Sequence, residues 1–324
     1  MLNAAWVSHA IRAMADLGLA DHLAERPRSI GEVAEATGTH APTLARFFRA
    51  LSAIGLCATD GEGRVGLTPL GELLRSDVPG SMQSYALAIH APHVERAWDN
   101  LTEAVRTGQP AFPSAHGLDF WEYLAAEPEK EALFDSAMSG GAESRARALL
   151  ASRDLTGLDV IVDVGGGQGE LLAEVLAATP ALRGVLVDRP EALPGAEAIL
   201  TTAGVVDRCD LVSGDFFASV PAGGDVYVLA LIIHDWPDDT ATAILRTCHR
   251  AMAPGARVWV IERVIEPGNA YDPAKLIDLL MLVIFGAQER TAEEYGSLLR
   301  SAGFEQVTVH STGSPFSVVE GVRP

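Results

Sequence analysis

Apolar positions along the chain recur first at helical spacing and later in alternating strand-like and helix-like runs. Residues 3 to 25 alternate small and apolar side chains (Ala5, Ile11, Met14, Leu17, Leu19, Leu23), a pattern that predicts helices. Ser29-Ile30-Gly31-Glu32 has the form of a capping box opening a short helix that stops at Gly38. Leu44, Phe47, Phe48 and Leu51 form one apolar face of the next helix. Leu56 to Thr59 and Val65 to Thr68 flank Asp60-Gly61-Glu62-Gly63, which predicts a hairpin, and Thr68-Pro69 caps another helix. Helix, helix, hairpin is a winged-helix pattern. Residues 81 to 150 continue helical, interrupted by a loop at 108–113.

From about residue 155 strands and helices alternate, the mark of a doubly wound α/β sheet. Val160, Ile161, Val162 and Val164 read as a buried parallel strand. It runs into glycines at 165, 167 and 169, and then into a helix with Leu171, Leu172, Val175 and Leu176 on one face, ended by Pro180. Further strands are expected at Gly184–Val187, ending in Asp188, and at Val206–Val212, ending in Gly214-Asp215-Phe216. Val226–Ile233 is apolar except for Tyr227 and ends in His234-Asp235-Trp236-Pro237; Val258–Ile261 ends in Glu262. A helix from Pro273 to about Phe285 leads to Gln288-Glu289-Arg290, Thr291 to Glu294 is a second capping box, and Gln306–His310 with Phe316–Val319 suggests a closing hairpin. The expected division is 1–85, 86–152 and 153–324.

Composition narrows the function. A chain of 324 residues with 48% hydrophobic content can fill two cores. Its formal charge of −19 argues against nucleic acid and anionic membrane as partners. Arg46 and Arg49 on the winged-helix segment make a poor electrostatic footprint, so that segment reads as a dimerisation or scaffold module. Cys57, Cys209 and Cys248 lie far apart, which indicates neither a disulfide framework nor a zinc site. No signal peptide opens the chain, and no apolar run reaches the ~18 residues of a membrane helix, so a cytoplasmic enzyme is expected. His90 and His93 have the spacing of helix neighbours, but no carboxylate or third histidine nearby completes a metal site, so no metal is expected there and they read as polar groups of a pocket.

The polar groups all fall at the ends of predicted strands, the edge where open α/β sheets bind ligands. The glycine turn brings backbone N–H groups close to a ligand. Its G-x-G-x-G spacing departs from the dinucleotide fingerprint, because Glu170 stands where a glycine would be required. Asp188 is placed to accept from ribose hydroxyls, or else to cap the turn that follows it. Asp215 and Phe216 suit a hydrogen bond to, and a stack on, a purine. His234, with Glu262 and Glu289 as potential neighbours, is either a satisfied structural histidine or a general base.

Together Asp163-Val164-Gly165-Gly166-Gly167-Gln168-Gly169, Asp188-Arg189-Pro190, Gly214-Asp215-Phe216, His234-Asp235-Trp236-Pro237 and Glu289-Arg290-Thr291 resemble the class I S-adenosylmethionine-dependent O-methyltransferases. The likeness is to the plant caffeate and isoflavone type and its bacterial natural-product relatives, over essentially the whole length. It implies a Rossmann-like methyltransferase sheet with an N-terminal, mainly α, winged-helix dimerisation domain that closes part of the pocket. It implies that Asp163, Gly165, Gly167, Asp188, Asp215 and Phe216 hold the cofactor, that His234 is the base, and that Glu262 and Glu289 flank it. Met138 and Met281 would clamp the acceptor, with Trp98, Phe134 and Asp235 as further contacts. One departure stands out: plant members carry a lysine that assists cofactor binding where this chain has Ala230.

The implied chemistry is methylation of an aromatic hydroxyl in secondary-metabolite, antibiotic-type biosynthesis. A phenol of pKa about 10 is roughly a thousandth ionised at pH 7, equivalent to roughly 4 kcal/mol, which a positioned histidine partly offsets. The competing readings are a cofactor-binding relative that hydroxylates or decarboxylates, a winged-helix metabolite sensor, and methylation at nitrogen or carbon.

Overall fold

The structure, a computed structural model, describes residues 2–324. It divides into two compact units: the residues up to 95 with 124–141, and 96–123 with 142–324.

In the first unit, helices Ala4–Asp16, Leu19–Leu23, Ile30–Thr37 and Ala41–Ala53 precede strands β1 (Cys57–Thr59) and β2 (Val65–Leu67). The strands pair antiparallel around the expected turn, and Arg28 bridges to Val65 along the outer edge. Met14, Leu19, Val33, Phe48 and Leu51 fill the core between helices and wing. The capping box at Ser29 is complete: Ser29 Oγ accepts the Glu32 N–H at 3.3 Å, and Glu32 Oε2 accepts the Ser29 N–H at 2.7 Å. Gly38 ends that helix in the left-handed region, as predicted. Further on, helix Pro128–Ser139 packs on helix Gln83–Ile89, with Ser136 Oγ donating to Ser84 Oγ at 2.8 Å. His90 and His93 are not neighbours on one helix: His90 ends Gln83–Ile89, and His93 lies in Pro92–Trp98. His90 also has a carboxylate, Glu95 Oε1, 2.7 Å from its Nδ1.

The second unit is built on a seven-stranded sheet. Its parallel strands are β3 (Val160–Val164), β4 (Arg183–Asp188), β5 (Cys209–Ser213), β6 (Val226–Ala230) and β7 (Arg257–Glu262). After β8 (Val264–Ile265) and β9 (Arg290–Thr291), which pair only with each other, come β10 (Glu305–Ser311) and β11 (Ser317–Val322). The order is β10-β11-β7-β6-β3-β4-β5, and the closing hairpin is antiparallel, β11 lying against β7. Side chains alternate between two apolar layers. Ile161, Leu186, Val228 and Ile261 face the helices that include Glu170–Ala178, whereas Val162, Val187, Leu229 and Val260 face the opposite layer with Ile244 and Leu298.

Three expectations need correction. The strand predicted from Val206 begins at Cys209, because Val206–Arg208 form a 3-10 turn. The loop at 108–113 is partly helical, since Ala111–His116 form a short helix whose first turn accommodates Pro113. The strand predicted to run to Ile233 ends at Ala230. Leu231 then takes φ 56°, a left-handed conformation costly for a branched side chain, and the chain breaks into a one-turn 3-10 helix, Ile233–Asp235.

Ser29→Ala removes one member of the reciprocal cap. Urea denaturation of the full chain should show about 1 kcal/mol of lost stability in the transition of the first unit. An unchanged midpoint would mean that the cap contributes nothing.

Candidate active site

All five parallel strands end at one edge, and the order of the sheet reverses between β3 and β6. That is the switch point where an open sheet leaves a crevice. β3 leaves the sheet through the glycine turn into helix Glu170–Ala178. Gly165 has φ 71°, and a Cβ added to it would lie 2.6 Å from Ile232 Cδ1. Gly167 has φ 59° but nothing within 4 Å of where its Cβ would be. The first glycine is therefore closed in by the loop after β6, while the third residue of the turn presents its backbone to open space.

Asp188, at the end of β4, locks this turn. Its Oδ2 accepts the Gly167 N–H at 2.7 Å and its Oδ1 accepts the Arg189 N–H at 2.6 Å. In the turn that follows, Asp188 accepts only from the adjacent Arg189 N–H, so its main anchoring is to the glycine turn. Each oxygen still has a second lone pair for a ligand hydroxyl. Asp163 lies beneath the turn, 1% exposed, with Oδ2 2.7 Å from where a Gly166 Cβ would be. Burial, helped by the charge of Asp188, pushes its carboxyl up to about 7. Asp215 is exposed on the next loop and accepts the Phe217 N–H at 2.9 Å. Phe216 turns toward Gly165, its Cε1 3.5 Å from that residue's Cβ position, and meets Trp236 edge-on at 6.5 Å.

His234 sits on the one-turn helix after β6, with its side chain 9% exposed. Its Nδ1 is 2.8 Å from Glu289 Oε1 and 3.6 Å from Glu262 Oε2, and its Nε2 is 3.4 Å from Asp235 Oδ1. Glu262, the last residue of β7, is fully buried, and its Oε1 accepts the N–H groups of Ile232, Ile233 and His234 at 3.1, 2.9 and 3.3 Å. Burial alone would push the imidazole toward its neutral form. Glu262, Asp235 and Glu289 outweigh burial and raise His234 to about 10. The Nδ1 facing two carboxylates is then the protonated donor to Glu289, while Nε2 faces Asp235 at a longer distance.

Arg290 was legible only as part of a motif, with no role attached. Its guanidinium is wholly buried and donates to the carbonyls of Ile233 and Trp236 at 3.1 and 2.8 Å. Nothing in the sequence could have marked those partners, because they are main-chain oxygens more than fifty positions away. Glu289 is held from its other side by its own N–H, which donates to Asp278 Oδ1 at 2.9 Å.

An aromatic wall adjoins this cluster. Trp121 stacks on Trp236 at 6.3 Å and tilts against Phe285 at 5.4 Å. With Phe120, Ile284 and the Asp235 side, these residues wall a cavity of about 230 Å³. Met281 is 4% exposed on helix Ala274–Ile284, and Trp98 is half-buried at the end of its helix. Phe134 and Met138 lie half-buried on helix Pro128–Ser139 of the first unit. Ala230, the last residue of β6, packs against the sheet core.

Residues 98–305 match the O-methyltransferase domain, and residues 1–77 match the O-methyltransferase dimerisation domain. The chain belongs to the O-methyltransferase family. It is 40% identical to the phenazine O-methyltransferase PhzM of Lysobacter antibioticus, over 100% of this chain and 94% of that protein. It is similar to the crystal structure of NcsB1, an O-methyltransferase from neocarzinostatin biosynthesis, in complex with S-adenosylmethionine and 2-hydroxy-5-methyl naphthoic acid. The TM-score is 0.81 at 38% identity, over 98% of this chain and 96% of that one. The aclacinomycin 10-hydroxylase RdmB of Streptomyces purpurascens is 34% identical, over 96% of this chain and 86% of that protein. The resemblance drawn from the motifs is thus borne out for family, enzyme class and fold.

Gly165→Ala puts a methyl group against Ile232 and strains the backbone at a positive φ. Calorimetric titration with S-adenosylhomocysteine should show at least a roughly tenfold loss of affinity, about 1.4 kcal/mol. Wild-type affinity in this variant would mean that the turn is not part of the ligand site.

Proposed function

We propose that this O-methyltransferase transfers the methyl group of S-adenosylmethionine to a hydroxyl of a small aromatic acceptor, with His234 as general base. One observation carries the reading: His234 is fixed by carboxylates through Nδ1, which leaves Nε2, 3.4 Å from Asp235, as the nitrogen to take a proton, and its turn adjoins the glycine turn through Ile232. The two sites share Ile232, whose N–H binds Glu262 and whose side chain abuts Gly165. Open space over Gly167, acceptor lone pairs on Asp188 and the Phe216 ring fit an adenosyl cofactor, with Asp215 beside them and Asp163 supporting the turn from below. The cofactor supplies an electrophilic methyl on sulfur, and the relatives' names and complexes support an acceptor of fused aromatic rings.

The protein's part is then alignment and proton removal. In-line positioning is worth as much as ~7–11 kcal/mol, and a general base contributes ~10²–10⁴-fold. Asp235, Trp98 and Met281 would hold the acceptor. The bulk of residues 153–324 would carry the cofactor and the chemistry, 86–152 part of the acceptor pocket, and 1–85 the dimer contact. No helix among the described residues is long and apolar enough to cross a membrane, and the charge of −19 disfavours nucleic acid. We read the enzyme as cytoplasmic and as serving natural-product biosynthesis.

Methyl-labelled S-adenosylmethionine with a panel of hydroxylated phenazines, naphthoic acids, quinones and phenolic acids tests the reaction directly. Label in the acceptor supports it, whereas an oxygenated product with no label transfer would place the chain with the hydroxylase. His234→Gln should leave cofactor affinity nearly unchanged and lower turnover by ~10²–10⁴. The sign of the pH effect follows from the carboxylates. Since they raise His234 above the ordinary 6.5, neutral imidazole accumulates only as pH rises, and kcat/KM should still climb between about pH 7 and 9. A plateau reached by pH 7, or near-normal turnover in the Gln variant, would remove His234 as the base.

The homodimer rests on the match to the dimerisation domain and on Trp6 and Val7, apolar and exposed on the first helix. Sedimentation at micromolar concentration should give twice the chain mass, and a stable monomer there would exclude it.

A further inference from the structure

We propose that Arg290 is a positioning residue for methyl transfer: it clamps the one-turn helix carrying His234 to the segment carrying Glu289, and so sets the imidazole–carboxylate contact. This rests on the reading of His234 as the base. The helix is one turn long and follows a left-handed leucine, so its own hydrogen bonds cannot fix it. It is held from two sides. Glu262 collects the N–H groups of Ile232, Ile233 and His234, while Arg290 takes the carbonyls of Ile233 and Trp236, which bracket His234 and Asp235.

Arg290 is covalently next to Glu289, and it also donates to the Gln288 carbonyl at 3.3 Å. Its Nε and Nη2 bond Asp238 Oδ1 at 3.0 and 2.8 Å, which fixes the plane of the fork. Its Cζ lies 5.9 Å from the centre of the Tyr295 ring. A rigid five-donor fork matches this set of acceptors, and a lysine ammonium does not. A buried guanidinium serving backbone carbonyls is costly unless every bond is made, so its orientation is strongly determined.

The test is NMR titration of histidine-13C-labelled full-length protein, with His234 assigned from the signal missing in His234→Gln. The charged groups around His234 are Asp235 on its own turn, Glu262 from β7, Glu289 ahead of β9, and Arg290. Loosening the clamp moves the imidazole away from Glu289, one of the three carboxylates that hold it against burial, so the midpoint must fall. In Arg290→Lys it should drop by about one unit or more, tenfold in the protonation ratio, while the other histidine signals titrate as before. Turnover should fall roughly 10–100-fold, as expected for sub-ångström misplacement.

A folded Arg290→Lys protein with the wild-type His234 midpoint overturns the proposal, as does a shift shared by all histidines. If the lysine variant does not fold, Asp238→Ala takes its place. That side chain is 64% exposed, and its loss frees two bonds of the fork. Measured at high salt, which screens the exposed charge, its midpoint must also fall, and an unchanged value overturns the proposal. Failure of the base itself is read separately, from the turnover of His234→Gln, on which the NMR result does not depend.

Discussion

A fully buried carboxylate at the end of β7 is the constraint on which the site depends. Glu262 has no exposed surface, and an isolated charge there would be driven to its neutral form. Burial does push its carboxyl upward. What makes the position tolerable is the loop after β6, which curls so that three successive N–H groups point at Oε1. Those donors exist only because β6 stops at Ala230 and the chain takes a left-handed step at Leu231. Had the strand continued, the same N–H groups would have joined a ladder and His234 would have faced elsewhere. Strain at one residue is thus exchanged for a charge-assisted set of hydrogen bonds, each stronger than a neutral pair.

The same geometry couples the two halves of the site. Ile232 contributes an N–H to Glu262 and a side chain that fills the space where Gly165 lacks one. Moving the histidine turn therefore moves the wall behind the glycine cradle. Asp188 joins the cradle to β4 in a similar way, through the Gly167 N–H. The carboxyl edge behaves as one network of carboxylates gripping backbone donors.

Much of this was legible in the sequence, for reasons that can be named. β-Branched runs buried on both faces announce parallel strands, and the polar residue closing each run announces the ligand edge. The reciprocal caps at Ser29 and Thr291 were readable because both partners are local. Leu231, Ile232 and Ile233 misled because their composition is that of a strand, and no glycine marks the turn. Their burial is satisfied by packing under the loop, not by a ladder, and periodicity alone does not separate the two. Val206-Asp207-Arg208 misled in the same way on a smaller scale. Arg290 was legible in identity and opaque in role, since backbone carbonyls carry no sequence signature. His90 shows the reverse: its carboxylate partner was only five residues away, but on the far side of a helix break.

The proposed reaction gives the carboxylates a purpose beyond holding a loop. A sulfonium cofactor, when bound, would supply an electrophilic methyl, and a neutral acceptor hydroxyl would need somewhere to leave its proton. With His234 as the base, that proton would become a positive charge on its imidazole. Glu262, Asp235 and Glu289 surround the place where that charge arrives, and they raise the affinity of the imidazole for a proton toward that of a phenol. Matched affinities let the proton move without a large uphill step, and fixed carboxylates need no reorganisation as the charge forms. The cost falls on the resting enzyme, since an imidazole held toward its charged form needs a higher pH before it can accept a proton.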